Sequence, residues 1–166
     1  MWKLRLDKAG IQVFTRPEPG SAFDRYRALM VAPGPATPYL ALLHDIDNYT
    51  ETLHATVAAR LIQDKGDEKI IYIANQHPGV KSRDYYAHMR FTHDPQDGSY
   101  TVDWRLASGY PEDPKRVRLQ ALQSVTRLVP RADKQLDVSM EGHFEPGGIV
   151  PALIANRVIM DTPWNR

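Results

Sequence analysis

The sequence predicts an α+β fold: a curved antiparallel β-sheet wrapped around a long C-terminal α-helix, with two short helices after the second strand. Three observations carry that expectation. Strand-like alternation of apolar and polar residues recurs through most of the 166 residues. Helical character is confined to a short stretch near residue 40 and to the C-terminus. Finally, Pro146-Gly147-Gly148-Ile149-Val150-Pro151 forms a turn that opens an amphipathic segment. Pro151 suits the first turn of a helix, where its missing N–H would have had no partner. Beyond it Leu153, Ile154, Arg157, Val158 and Asp161 recur at three- and four-residue steps. A lone helix after a run of strands has a sheet to cover, and its stripe is apolar except for Arg157 and Asp161.

The elements follow in order. Gly10-Ile11-Gln12-Val13-Phe14-Thr15 alternates and stops before Pro17-Glu18-Pro19-Gly20, so it reads as a strand and a turn. Tyr26 to Val31 is its hairpin partner. After Pro33-Gly34-Pro35, residues Tyr39 to Ile46 are helical, with Thr37 as cap and Pro38 as first helical residue. A second short helix spans Asn48 to Leu53. Strands are then expected at Thr56–Gln63, Lys69–Asn75, Arg83–Thr92 and Tyr100–Ser108. A long hairpin of Val117–Leu128 with Gln135–Phe144 turns at Pro130-Arg131-Ala132-Asp133.

Composition removes several function classes. With 21 Lys plus Arg against 20 Asp plus Glu, the net charge of +1 gives no field to draw in nucleic acid. There is no cysteine, hence no disulfide, thiol chemistry or Cys-built metal site. No apolar run approaches the ~20 residues of a membrane span. The opening Met1-Trp2-Lys3-Leu4 lacks the n- and h-regions of a signal peptide. A cytoplasmic protein is expected, or a periplasmic one whose leader has been removed.

Alternation assigns faces. Tyr85, Ala87, Met89 and Phe91 point inward, as do Val102, Trp104 and Leu106, and Val138, Met140, Gly142 and Phe144. The opposite sets, including Arg105, Glu141 and His143, are polar, which predicts one wet face. In an arbitrary protein such an inner face is plain core.

Over nearly the whole chain the residues resemble the StAR-related lipid transfer (START) domain, a branch of the helix-grip (SRPBCC, Bet v 1-like) superfamily, and its short single-domain bacterial members in particular. The likeness rests on Trp2-x-Leu4 before Asp7, on Gly10-Ile11-x-Val13-Phe14-Thr15-Arg16, and on Leu43-x-Asp45-Ile46 followed by Tyr49. It continues through Pro78 and Ser82-Arg83-Asp84-Tyr85 to Pro146-Gly147-Gly148, Pro151, Asn156-Arg157 and Asp161. The sequence departs from the pattern at Thr52, at Gln123-Ser124-Val125 and at Met89, where sterol carriers of the family often place a charge.

The resemblance implies one lipid-binding domain over residues 1–166, holding a hydrophobic or amphipathic small molecule between sheet and C-terminal helix. It implies no cofactor, no metal and no catalysis, with transient membrane contact. On the sheet the ligand would touch Tyr85, Met89 and Phe91, then Val102, Trp104 and Leu106, then Met140. On the helix it would touch Leu153, Ile154, Arg157 and Val158. Gly147-Gly148 would be a hinge for release. Arg157 would meet a polar headgroup or else pair with Asp161 one turn on. The alternative is a superfamily enzyme of cyclase or aromatase type, for which Arg157, Asp161 and Tyr85 are the inward ionisable candidates and no general base stands out.

Three further constellations have bland readings. His44, Asp47, Glu51 and His54 fall at offsets that suit a metal site but are expected on a solvated helix face. Glu141 and His143 fit an acid and base pair but are expected on the wet face. Arg83-Asp84 is expected to be a structural ion pair or a hydrogen-bonding unit.

Overall fold

The structure, a computed structural model, describes residues 1–151. The helix expected from Pro151, with Leu153, Ile154, Arg157, Val158 and Asp161, lies outside the described residues. Strands β1 (Lys3–Lys8), β2 (Ile11–Arg16) and β3 (Arg25–Pro33) come first. Helix α1 (Thr37–His44), a 3-10 turn at Ile46–Asn48 and helix α2 (Tyr49–Thr52) follow. Then come β4 (Thr56–Asp64), β5 (Glu68–Asn75), β6 (Arg83–His93), β7 (Tyr100–Ala107), β8 (Val117–Arg118), β9 (Ala121–Pro130) and β10 (Gln135–Glu145). The sheet runs β1-β2-β3-β10-β9-β7-β6-β5-β4, with β8 attached in parallel to β6.

The strand-dominated architecture is as expected, with three corrections. The two short helices follow the third strand, not the second, because β1 was not foreseen. Its sequence, KLRLDK, sets two leucines among four charges, and Leu4 is 51% exposed, so its alternation serves an edge and not a core. It closes on β2 through Ala9 and Gly10, both at positive φ (50° and 79°), as a tight hairpin requires. Second, the expected strand Val117–Leu128 is broken at Leu119-Gln120. The Leu119 amide donates to the Asp84 carbonyl and the Gln120 amide to Glu145, so β8 serves β6 whereas β9 pairs with β7 and β10. Third, Thr37 is inside α1 rather than capping it. Ala36 holds the cap position with no side-chain hydrogen bond, while Pro38 occupies the first turn as expected.

The core lies on one face of β5, β6 and β7, beneath the short helices. Ile71, Ile73, Ala87, Met89, Phe91 and Val102 pack against Ile46 and Tyr49. Leu40 and Leu43 of α1 add partly buried cover. Helices of four and eight residues are too short to stand alone, so this burial is what holds them.

Candidate functional site

One row of the register runs across the inner face through seven strands. Lys69 faces Met89, Met89 faces Trp104, Trp104 faces Ser124, Ser124 faces Gly142, Gly142 faces Tyr26, and Tyr26 faces Thr15. Of the residues expected to touch a ligand this row holds Met89 and Trp104; Phe91, Val102 and Met140 fall on the row beside it, and the two ends of the face have different surroundings. At the β5–β7 end, Met89 is fully buried, with its sulfur 3.9 Å from the Tyr49 hydroxyl. Tyr49 stacks on Trp104 with ring centroids 6.1 Å apart, and His44 stacks on Phe91 at 3.8 Å. Val102 is fully buried beside them, and Tyr85 is partly buried against the same cluster. Leu106 is half-buried opposite Ala87. The α1–α2 region thus covers much of this half. Met140 lies on the neighbouring row, half-buried between Thr126 and Ala28 and next to the Tyr26 and Ser124 hydroxyls, which approach to 3.3 Å across Gly142. That hydroxyl pair is a polar point that the sequence reading missed. The signal was present in Ser124-x-Thr126, which alternates onto the inner face of β9.

The polar groups of the inner face are occupied. Lys69, 6% exposed, bonds the Asp64 carboxylate at 2.8 Å. Arg83, 8% exposed, has no carboxylate within ion-pairing distance among the described residues. It donates instead to three carbonyls: Lys81, Pro146 at 3.4 Å and Gly147 at 3.0 Å. Burial pulls its guanidinium below the usual range. Arg83 and Asp84 are therefore not a pair, since neighbouring strand residues point to opposite faces. Asp84 accepts from Arg118 Nε at 2.8 Å and from the Tyr72 hydroxyl at 3.0 Å on the outer side.

The Pro146–Gly148 turn is held tightly, which alters the hinge expectation. Gly147 and Gly148 have φ of 68° and 62°, and a Cβ on Gly147 would sit 2.8 Å from the Arg118 carbonyl. These glycines fit the chain between β6 and β8, with Arg83 bonded to the turn's carbonyls.

The outer face is not uniformly wet. The His143 side chain is 11% exposed, with Nε2 3.2 Å from both the Ser21 hydroxyl and the Phe23 carbonyl and 3.4 Å from Glu145. Glu141 turns to Arg27 at 2.8 Å, with Arg25 at 3.9 Å. The two residues serve separate networks. Among the described residues no three metal-binding side chains converge. His44 lies on Phe91, and His54 is 6.2 Å from His77.

No known family model matches the chain. A curated relative, an uncharacterized protein of Pseudomonas aeruginosa, is 26% identical over 166 residues, covering 99% of this chain and 82% of the relative. The crystal structure of a STAR-related lipid transfer protein from Xanthomonas axonopodis superposes with a TM-score of 0.90. It is 28% identical and covers 99% of this chain and 93% of that one. The chain has the START-domain fold. Human StAR-related lipid transfer protein 5 shares that START fold at a TM-score of 0.80 and 14% identity, over 99% of this chain and 83% of that one. The Zhui aromatase/cyclase from Streptomyces is more distant, at 0.54 and 10% identity, over 83% and 82%. Among the described residues no helix is long and apolar enough to cross a membrane.

Proposed function

We propose that the chain is a single non-enzymatic domain, spanning residues 1–166, that holds one hydrophobic or amphipathic, lipid-like molecule against the inner face of its sheet. The observation that carries this reading is the likeness to the Xanthomonas STAR-related lipid transfer protein over almost the full length of both chains. The partly exposed apolar side chains of Trp104 and Met140, on neighbouring rows of the inner face, support it. Affinity would come from apolar area removed from water, at ~25 cal/mol per Å² before ordering costs. The Tyr26 and Ser124 hydroxyls would meet a polar group of the ligand on the sheet side, and Arg157 on the helix side. Leu153, Ile154 and Val158 would complete the wall. Delivery would involve transient membrane contact, and the net charge of +1 gives no reason to expect a nucleic acid.

The second reading, a cyclase or aromatase, is favoured by the aromatase/cyclase among the solved structures that share the fold. It needs an inward-facing acid or base. Lys69 and Arg83 are already engaged by Asp64 and by carbonyls. Tyr85, Arg157 and Asp161 remain as candidates for that role. Native mass spectrometry of protein purified from its own host, with extraction and identification of the bound molecule, tests the choice. A co-purified lipid is expected. Protein that arrives empty and binds no fluorescent fatty-acyl probe overturns the carrier reading, and turnover of a polyketide-like substrate replaces it with the enzyme.

A further inference from the structure

We propose that the outer face of β4, β5 and β6 carries a second binding site, for a small zwitterion, beneath the segment 108–116. A cavity of about 340 Å³ opens there, on the side of the sheet opposite the proposed lipid face. Its floor is built by the sheet. Tyr72 and Tyr86 lie with ring centroids 5.0 Å apart, and Tyr86 is stacked against Tyr110 of the overlying segment at 4.3 Å and 10°. Neighbouring Ala58 has too small a side chain to fill the space between floor and roof. A rigid aromatic floor with a few polar groups converging on it is the usual composition of a small-molecule pocket.

The charges at its edge decide the ligand. Asp84, 1% exposed, is satisfied by Arg118 and the Tyr72 hydroxyl. Arg116 donates to the Tyr72 oxygen at 3.1 Å and faces Asp113 at 3.4 Å. Burial, with Asp84 beside it, raises the Tyr72 pKa, so that hydroxyl stays protonated. Two charged groups of the lining, Arg60 and Glu112, make no salt bridge within 4 Å among the described residues, although Arg118 lies within electrostatic reach of Glu112. The Arg60 guanidinium lies over the Tyr72 ring at 4.8 Å, which leaves its N–H edge open. Glu112 borders the cavity from the overlying segment. A lone anion would satisfy Arg60 and meet Glu112 as a like charge, and a lone cation would do the reverse. A molecule with an anionic group toward Arg60 and an ammonium toward Glu112 satisfies both. The site stands independently of the lipid reading, because it uses none of the inner-face residues.

The test is an NMR titration of the intact chain with O-phosphoethanolamine, with inorganic phosphate and ethanolamine run separately as its halves. Saturable shifts at Tyr72, Tyr86 and residues 110–116 are expected, with the whole molecule binding about tenfold tighter than either half, the size of one charge-assisted contact. Arg60→Gln should abolish the shifts. Glu112→Gln should lower the affinity for O-phosphoethanolamine to that for phosphate. Both positions are exposed, so unchanged circular dichroism serves as the folding control. Repeating the titration with phosphatidylethanolamine vesicles separates the sources. Vesicle-induced shifts lost in Arg60→Gln assign a membrane headgroup, and soluble binding without them assigns a free zwitterion. Equal affinities for whole and halves, or shifts that survive Arg60→Gln, overturn the proposal.

Discussion

At the scale of single residues, the buried arginine and the histidine near it make the most direct claims. Arg83 donates to three carbonyls, of which that of Pro146 belongs to a buried residue. Replacing it by methionine keeps the apolar stem and strands those acceptors. The expected loss is about 1–3 kcal/mol, the penalty for leaving buried polar groups unmade. Urea denaturation reads it, and Arg83→Lys should recover only part, because an ammonium lacks the planar fork that spans separate acceptors. A stability for Arg83→Met equal to wild type would show the carbonyls to be solvated. His77 lies near Arg83, and burial first, then His54 and Arg83, hold its pKa below the ordinary imidazole range. Burial, then Lys69, does the same to His44. The sign follows from proton uptake. As pH falls through about 6.5 the unfolded chain binds protons that the folded chain resists, so stability is complete above that value and declines below it. Unfolding midpoints measured between about pH 7 and pH 5 should fall, and His77→Gln should flatten the slope. An unchanged slope in that variant removes His77 as a source.

At the scale of elements, the Pro146–Gly148 turn and the broken strand before β9 form one construction. Gly147→Ala puts a methyl 2.8 Å from the Arg118 backbone oxygen at φ 68°, whereas Gly148→Ala meets the Val117 and Arg83 side chains at 3.3 and 3.4 Å. The first substitution should cost more than the second, each about 1 kcal/mol or more at such dihedrals. Thermal melts give the order, and the reverse order would mean that backbone contact does not govern the turn. This is also where sequence reading stopped. Period-two patterns located seven of the strands within a few residues, because Met89, Phe91 and Val102 face a dry core and their alternation is strict. β1 was invisible since its leucines face an edge. The break at Leu119-Gln120 was invisible since it is set by long-range bonds to Asp84 and Glu145, which no local pattern encodes. The pairing of Asp84 with Arg118 and the capture of His143 by Ser21 and Phe23 are likewise products of topology.

At the scale of the whole molecule, the inner face has two tasks, and the structure suggests how they divide. Met89 is fully buried beneath Tyr49, within a cluster that ties α1 and α2 to the sheet, so its work there is cohesion. Met140 is only half-buried, one row from the Tyr26 and Ser124 hydroxyls, where a ligand's apolar body and polar group would both find contacts. The two methionines should therefore answer differently to substitution. Met89→Ala should lower stability by about 2–5 kcal/mol through the cavity it leaves, and its ligand affinity should follow the folded fraction. Met140→Trp adds bulk where the ligand is proposed to lie. It should weaken a fluorescent fatty-acyl probe by about tenfold or more while costing at most about 3 kcal/mol of overpacking. Paired urea melts and probe titrations on both variants separate the tasks. If Met140→Trp binds the probe as wild type does, the ligand does not lie on this part of the sheet.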